Sequence, residues 1–483
     1  MRKNVKIGTK EKRENMEKKY ATPYEMEGKL PLKQAIPLGL QHVLAMFVGN
    51  LTPLILITGG TACALNDSAL LVTLLQNAML IAGIVTLIQI FAIGPVGAKL
   101  PIVMGTSSGF IGVCNSVAVG LGGGTYTYGA IMGASLLGGL FEGVLGFCLK
   151  PLRKFFPAIV TGTVVLSIGL SLISVGVGSF GGGANNRDFG SLENLFVGFV
   201  VLVVIVALKH GTKGITSYAS IFIGIIVGYI VVSIMAQIFP TTYEYVNAAG
   251  ETITATKSWV LDWQQVKDAS WFAIPKLLPV GLQFDARAIV PIGIMFIVTA
   301  VETVGDISGI TEGGIGREAT DKELSGGVIC DGLGSSLAAL FGVLPNTSFS
   351  QNVGLITMTK VVNKFSIAIG GLFLIACGLF PKLAAIISIM PDSVLGGAAV
   401  MMFSSIVVSG IQLVTKNPVT ARSVTILSVA LGLGYGLGAN TAILQHMPEQ
   451  IQLIFGGSGI VPAAVVAILL NIVLPKEKEM EEA

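Results

Sequence analysis

The chain has 483 residues, 52% of them apolar and only 12% charged, with a mean hydropathy of +0.80. Soluble domains carry about 25% charged residues, so this composition excludes a soluble globular protein. The net charge of +3 is small, and the ten Lys and Arg before the first apolar run orient a chain in a membrane rather than attract a nucleic acid.

Residues 1–35 mix basic and acidic side chains without the apolar core of a signal peptide, and read as a solvated cytoplasmic tail. Apolar runs near the roughly 20 residues that cross about 30 Å of hydrocarbon follow. They lie at 36–60, 68–92, 100–118, 126–149, 157–177, 192–208 and 215–238. A polar stretch, 239–287, reads as an external loop. Further runs follow at 288–311, 324–342, 346–361, 364–388, 392–414, 421–438 and 455–474, and 475–483 forms a second cytoplasmic tail. The expected fold is an all-α, multi-pass cell-membrane protein of fourteen segments with both termini cytoplasmic.

From segment four onward, basic residues follow every even-numbered segment, as the positive-inside rule requires. They are Lys150, Arg153 and Lys154; Lys209 and Lys213; Arg317 and Lys322; Lys360 and Lys364; Lys416 and Arg422; and Lys476 and Lys478. The 62 glycines let helices pack closely or break. Cys63, Cys114, Cys148, Cys330 and Cys377 stand singly in apolar runs, form no metal motif and read as core residues.

Seven plus seven segments make two inverted repeats, 36–238 and 288–474. Leu100-Pro101 leads into Gly105-Thr106-Ser107-Ser108-Gly109, and Leu344-Pro345 into Thr347-Ser348-Phe349-Ser350-Gln351. Pro157 to Gly162 and Pro391 to Gly396 share P-x-x-V-x-G. Paired, interrupted segments in two inverted halves point to a binding site at the membrane midplane, here segments three and ten.

Ionisable side chains inside a membrane cost about 2.5–3.5 kcal/mol each on insertion scales, so those that persist are functional candidates. Glu302 and Asp306 in segment eight are four residues apart, on one helix face. Burial beside a like charge favours a protonated carboxyl, which suits proton coupling. Helix-tying hydrogen bonds are the plain alternative for both. Asp331 in segment nine either bonds backbone freed at broken helices or acts directly.

Gln351 and Asn352 are adjacent amides in an apolar segment, so they face different ways. Gln351 is expected to face a ligand and Asn352 the scaffold. An amide that donates and accepts at once matches the N–H beside C=O edge of a purine dione. His42, alone in segment one, reads as a supporting residue.

The run Gln351-Asn352-x-Gly354-x-x-x-x-Thr359-Lys360 resembles the Q/E/P-N-x-G-x-x-x-x-T-R/K/G signature of the nucleobase/ascorbate transporter family. Gln41-His42, Glu302, Asp306 and the stretch from Gly327 to Gly332 around Asp331 add to a similarity over about 30–475. The resemblance implies a core domain of segments 1–4 and 8–11, a gate domain of segments 5–7 and 12–14, and a homodimer. It also implies short extended strands in segments 3 and 10. It assigns the base to Glu302 and Gln351, with Ser350 assisting and the Phe349 ring lining the site. Asp306, Asp331, His42, Asn352 and Thr359 are carried over as supporting or coupling residues. Members preferring xanthine or urate have Gln-Asn in the motif, whereas uracil carriers usually have Glu-Asn. Where the family often places a stacking aromatic in segment three, this chain has Ser108; Phe110, two residues on, would point the same way on an extended segment.

The expected function is proton-coupled uptake of a purine base, xanthine or urate, by alternating access. The alternatives are uracil or another base with proton or sodium coupling, a passive facilitator, or an anion transporter of the same fold, whose site would be neutral or basic. No metal site, activated nucleophile or phosphate-binding loop suggests an enzyme or a cofactor. The expected partners are the base, the proton, the lipid bilayer and a second copy of the chain.

Overall fold

A computed structural model of the protein describes residues 20–59, 62–65, 67–152, 155–246, 251–456 and 458–475. Arg153, Lys154, residues 1–19 of the expected N-terminal tail, and 476–483 with Lys476 and Lys478 lie outside the described residues.

Hydrocarbon offers no water to bond a backbone, so apolar runs satisfy it as helices. The first half gives α1 (Leu32–Thr58), α2 (Ser68–Phe91), α3 (Phe110–Leu121), α4 (Gly124–Phe147), α5 (Ala158–Phe180), α6 (Leu192–Gly211) and α7 (Ser220–Ile238). The second gives α8 (Ala286–Gly309), α9 (Asp321–Leu340), α10 (Ser350–Thr359), α11 (Lys364–Cys377), α12 (Asp392–Val414), α13 (Ala421–Ala439) and α14 (Ile460–Val473). Strand β1 (Met104–Thr106) precedes α3. Strands β2 (Thr242–Val246) and β3 (Thr252–Thr256) pair as a hairpin in the 239–287 loop, and β4 (Asn346–Ser348) precedes α10.

Among the described residues, nine helices are long and apolar enough to cross a membrane. Two bent pairs, Lys364–Cys377 with Pro381–Ser388 and Glu449–Gly456 with Ile460–Val473, raise this to eleven. The other expected segments fall short for physical reasons. Helices α3 and α10 have 12 and 10 residues and complete their segments with a strand. Helix α9 carries Asp331, several glycines and serines, and is buried among other helices, where it does not need an apolar surface.

Helix α4 packs on α9 and α8, and α11 packs on α2 and α1. Helix α5 runs along α12; α13 and α14 pack together and on α5, while α6 and α7 pack together and on α12. Glycines permit the closest crossings. A Cβ on Gly139 of α4 would stand 2.4 Å from the Gly332 carbonyl oxygen of α9, and one on Gly83 of α2 would stand 2.5 Å from that of Gly371 of α11. Cys63, Cys114, Cys330 and Cys377 are buried, but Cys148 is exposed, which corrects its reading as a core residue: it is the C-cap of α4 and lies past the helix's last packed turn, in which Gly146 rests against Ile329 of α9.

Candidate functional site

The site is framed by backbone. β1 and β4 pair antiparallel with Met104 opposite Ser348, Gly105 opposite Thr347 and Thr106 opposite Asn346. The ladder is extended by Phe349 N–H donating to the Val103 carbonyl (3.0 Å) and Ser107 N–H to the Pro345 carbonyl (2.8 Å). Two three-residue strands satisfy each other where no water reaches, and the pairing brings the N-termini of α3 and α10 together. Their free N–H groups and dipoles favour an electron-rich ligand atom.

Buried side chains pin this frame to the helices around it. Asn50 of α1 accepts from the Thr106 N–H (2.8 Å) and hydroxyl (3.1 Å). The Ser335 hydroxyl of α9 donates to the Asn346 carbonyl (3.1 Å) and accepts from its N–H (3.0 Å). The Phe349 ring fills a slot between α1 and β1 that exists because Gly49 and Gly105 lack a Cβ; added there, a Cβ would meet the ring at 2.9 and 2.7 Å.

Helix α8 supplies the carboxylates. Asp306, 3% exposed, accepts from the hydroxyls of Ser348 (2.7 Å) and Ser350 (2.8 Å), which ties α8 to β4 and the start of α10. Glu302, one turn earlier and 6% exposed, has an Oε2 without a hydrogen-bond partner among the described residues. Asp331 is fully buried on α9 and accepts from the Thr303 hydroxyl of α8.

The two amides part company at the start of α10. The Asn352 amide donates to the His42 carbonyl (3.0 Å) and lies 3.2 Å from His42 Nδ1, joining α10 to α1. Gln351 is half-buried, and its side chain makes no hydrogen bond among the described residues. Ser108 is half-buried in the turn before α3. Phe110 does not sit on an extended segment; it opens α3, and its fully buried ring packs on Phe296 with centroids 4.9 Å apart. Thr359 bonds back to the Leu355 carbonyl (2.8 Å), away from the strands, and Lys360 ends α10 with φ of 59° and donates to the Gly313 carbonyl.

A cavity of about 330 Å³ opens between α8, α10 and α12, lined by Asp306, Ser350, Val353, Thr357, Gln412 and Lys416 among others. Glu302 and Gln351 do not line it. Lys416 pairs with Glu312 across this cavity.

The Xan_ur_permease model, described as the Permease family, matches residues 33–443. The chain belongs to the nucleobase/ascorbate transporter family. This transporter is 38% identical over 462 residues, 95% of each chain, to a Clostridium perfringens protein named as a candidate purine permease. It is 32% identical over 466 residues to the xanthine permease XanP of Escherichia coli K12 (94% of this chain, 95% of the relative). It is 33% identical over 445 residues to the uric acid permease PucK of Bacillus subtilis (91% and 95%). The fold matches solved membrane transporters. The transmembrane domain of a cyanobacterial bicarbonate transporter, BicA, gives a TM-score of 0.53 at 14% identity, covering 91% of this chain and 97% of that one. SLC26A9 gives 0.57 at 10% identity, covering 91% and 66%.

The transporter also holds polar residues that the sequence reading passed over. Glu142 of α4 is fully buried, with its Oε1 within hydrogen-bond distance of the Thr299 hydroxyl of α8 (3.2 Å). Its signal was the one that marked Glu302, a carboxylate inside an apolar segment, but no motif surrounds it. Asn50 gave no sequence signal at all, since its role depends on β1 being a strand.

Proposed function

We propose that this chain takes up a purine nucleobase, xanthine or urate, together with a proton, by alternating access. The observation that carries this reading is a buried carboxyl on α8, Glu302, that keeps an unpaired oxygen, with an uncommitted amide, Gln351, at the start of α10 just after β4. The amide matches the N–H and C=O edge of a purine dione, and the carboxyl accepts from a ring N–H. An ionised Glu302 would be costly in so dry a place, so binding a neutral base favours protonation alongside it. Ser350 and Phe349 complete the base site in this reading, and Asp306, Asp331, His42, Asn352 and Thr359 support it.

The reading includes two inverted seven-segment repeats, with α1–α4 and α8–α11 as the moving core and α5–α7 and α12–α14 as the gate. Packing supports this. Exchanging each helix with the one seven places on converts α4 on α9 into α11 on α2, α1 on α11 into α8 on α4, and α13 on α5 into α6 on α12. Cytoplasmic termini follow from the basic residues at even-numbered segment ends, and a homodimer is inferred from the family. An anion transporter is the second reading, favoured by the fold likeness, but carboxylates at the site would repel its substrate.

The test is uptake of labelled xanthine and uracil by cells expressing the chain, with a protonophore and with sodium removed. Protonophore-sensitive xanthine uptake, abolished by Glu302→Gln and shifted towards uracil by Gln351→Glu, is expected. Uracil uptake alone overturns the purine assignment, and dependence on sodium instead of the proton gradient overturns the coupling.

A further inference from the structure

We infer that Glu142, together with Asp331, holds an exchangeable proton of its own, separate from the one carried at Glu302. Thr299 and Thr303 lie one turn apart on α8, with Glu302 between them. Each threonine bonds a carboxyl on a different neighbouring helix, Glu142 of α4 and Asp331 of α9. The donors then run short. The single hydroxyl hydrogen of Thr299 faces three acceptors: Glu142 Oε1 at 3.2 Å, the Phe296 carbonyl at 3.1 Å and the Met295 carbonyl at 3.4 Å. A hydroxyl donates once and accepts twice, so all its contacts are best met when Thr299 donates to its own helix and Glu142 donates to Thr299. Only a protonated Glu142 donates.

The oxygens without partners extend the shortage. Glu142 Oε2, Asp331 Oδ1 and Glu302 Oε2 are shut from solvent and have no hydrogen-bond partner among the described residues. Glu142 and Asp331 are both 0% exposed. The charged or titratable groups that the packed elements bring to them are Glu302 and Asp306 from α8 and Asp331 and the Cys330 thiol from α9. The carboxyls lie close enough for their charges to interact. No Lys, Arg or His among the described residues forms a salt bridge with them. Uncompensated charges in such a place are costly, and the smallest ligand that removes a charge and supplies a donor is a proton.

Exchange needs only a proton transfer. The O–H bond of one carboxyl breaks as an oxygen of the neighbouring carboxylate takes the proton, and the charge moves the other way. Of these carboxyls, Asp306 lines the cavity.

This inference deepens the proton-coupled reading above, and its test needs no transport. The full chain in lipid vesicles is titrated while the infrared absorption of protonated carboxyl C=O groups is recorded. In wild type the band is expected to fall as pH rises, and in Glu142→Gln, isosteric with the protonated acid, it loses the contribution of one carboxyl. Thr299→Val keeps the carboxyl but removes its partner, so the band stays full and its midpoint moves by roughly one pH unit, the equivalent of one hydrogen bond. Thr299→Val also serves if Glu142→Gln does not fold. An unchanged band in Glu142→Gln overturns the inference. So does a Glu142 band that never titrates, which marks a packing group, or one that answers to sodium instead of pH. Each such result leaves the protonophore test of uptake untouched.

Discussion

Gly105→Ala tests the slot that places Phe349. A methyl group on Gly105 would stand 2.6 Å from Met46 Cε, 2.7 Å from Phe349 Cε2 and 2.8 Å from Asn50 Oδ1. Met46 is flexible and can give way. The ring cannot retreat across the slot, because its other edge rests against Gly49, and Asn50 is held by two bonds from Thr106. Overpacking of this kind costs about 1–3 kcal/mol. Where the cost falls on the binding-competent frame, the KM for the base rises roughly five- to 150-fold at unchanged abundance in the membrane. The assay is initial-rate uptake normalised to membrane-inserted protein, with thermal unfolding of the purified chain alongside. Adding Phe349→Leu makes room and recovers the lost thermal stability. An unchanged KM and melting point for Gly105→Ala, or no recovery in the double variant, would refute the slot.

Asp306→Asn keeps one acceptor but turns the other towards a serine hydroxyl as a donor, so a loss of about 1–3 kcal/mol is expected, read as a roughly five- to 150-fold slower uptake. In a double-mutant cycle with Ser350→Ala, the two losses should not add, and additive losses would place the serine elsewhere. Cysteines replacing Glu312 and Lys416, in a background where the exposed Cys148 is serine, should crosslink across the cavity and stop uptake until a reductant is added; undiminished uptake with the crosslink complete would mean that the two elements do not separate during transport. Asp285 caps α8, and hydrogen bonds from the Arg287 side chain and backbone hold its carboxyl below the ordinary range. A lowered value contributes stability above the ordinary aspartate range, near pH 3.9, that is lost as pH falls through the lowered one. Melting temperatures across that acid window should therefore fall less in Asp285→Asn than in wild type.

The sequence was most legible where chemistry is local. Hydropathy located the helices, and adjacency alone separated Gln351 from Asn352. It was less legible where a role depends on another element. Asn50 matters because β1 is extended beside it, and Phe110 turns inwards because a helix begins at that residue. Glu142 carried the same evidence as Glu302 but stood outside any motif, and its partners lie 157 and more residues along the chain. Segments three, nine and ten fall short of a full apolar helix for a common reason: buried among other helices or completed by a strand, they need not be long and apolar.

The pairing of β1 with β4 has a consequence for biosynthesis. Each strand finds its main-chain partners on the other half of the protein, some 240 residues away. A ribosome that has finished the first half has therefore made an incomplete object, with three peptide groups awaiting partners not yet translated. The strand frame is created in the act that joins the two halves, so a chain truncated before Asn346 would carry a lasting mark for membrane quality control.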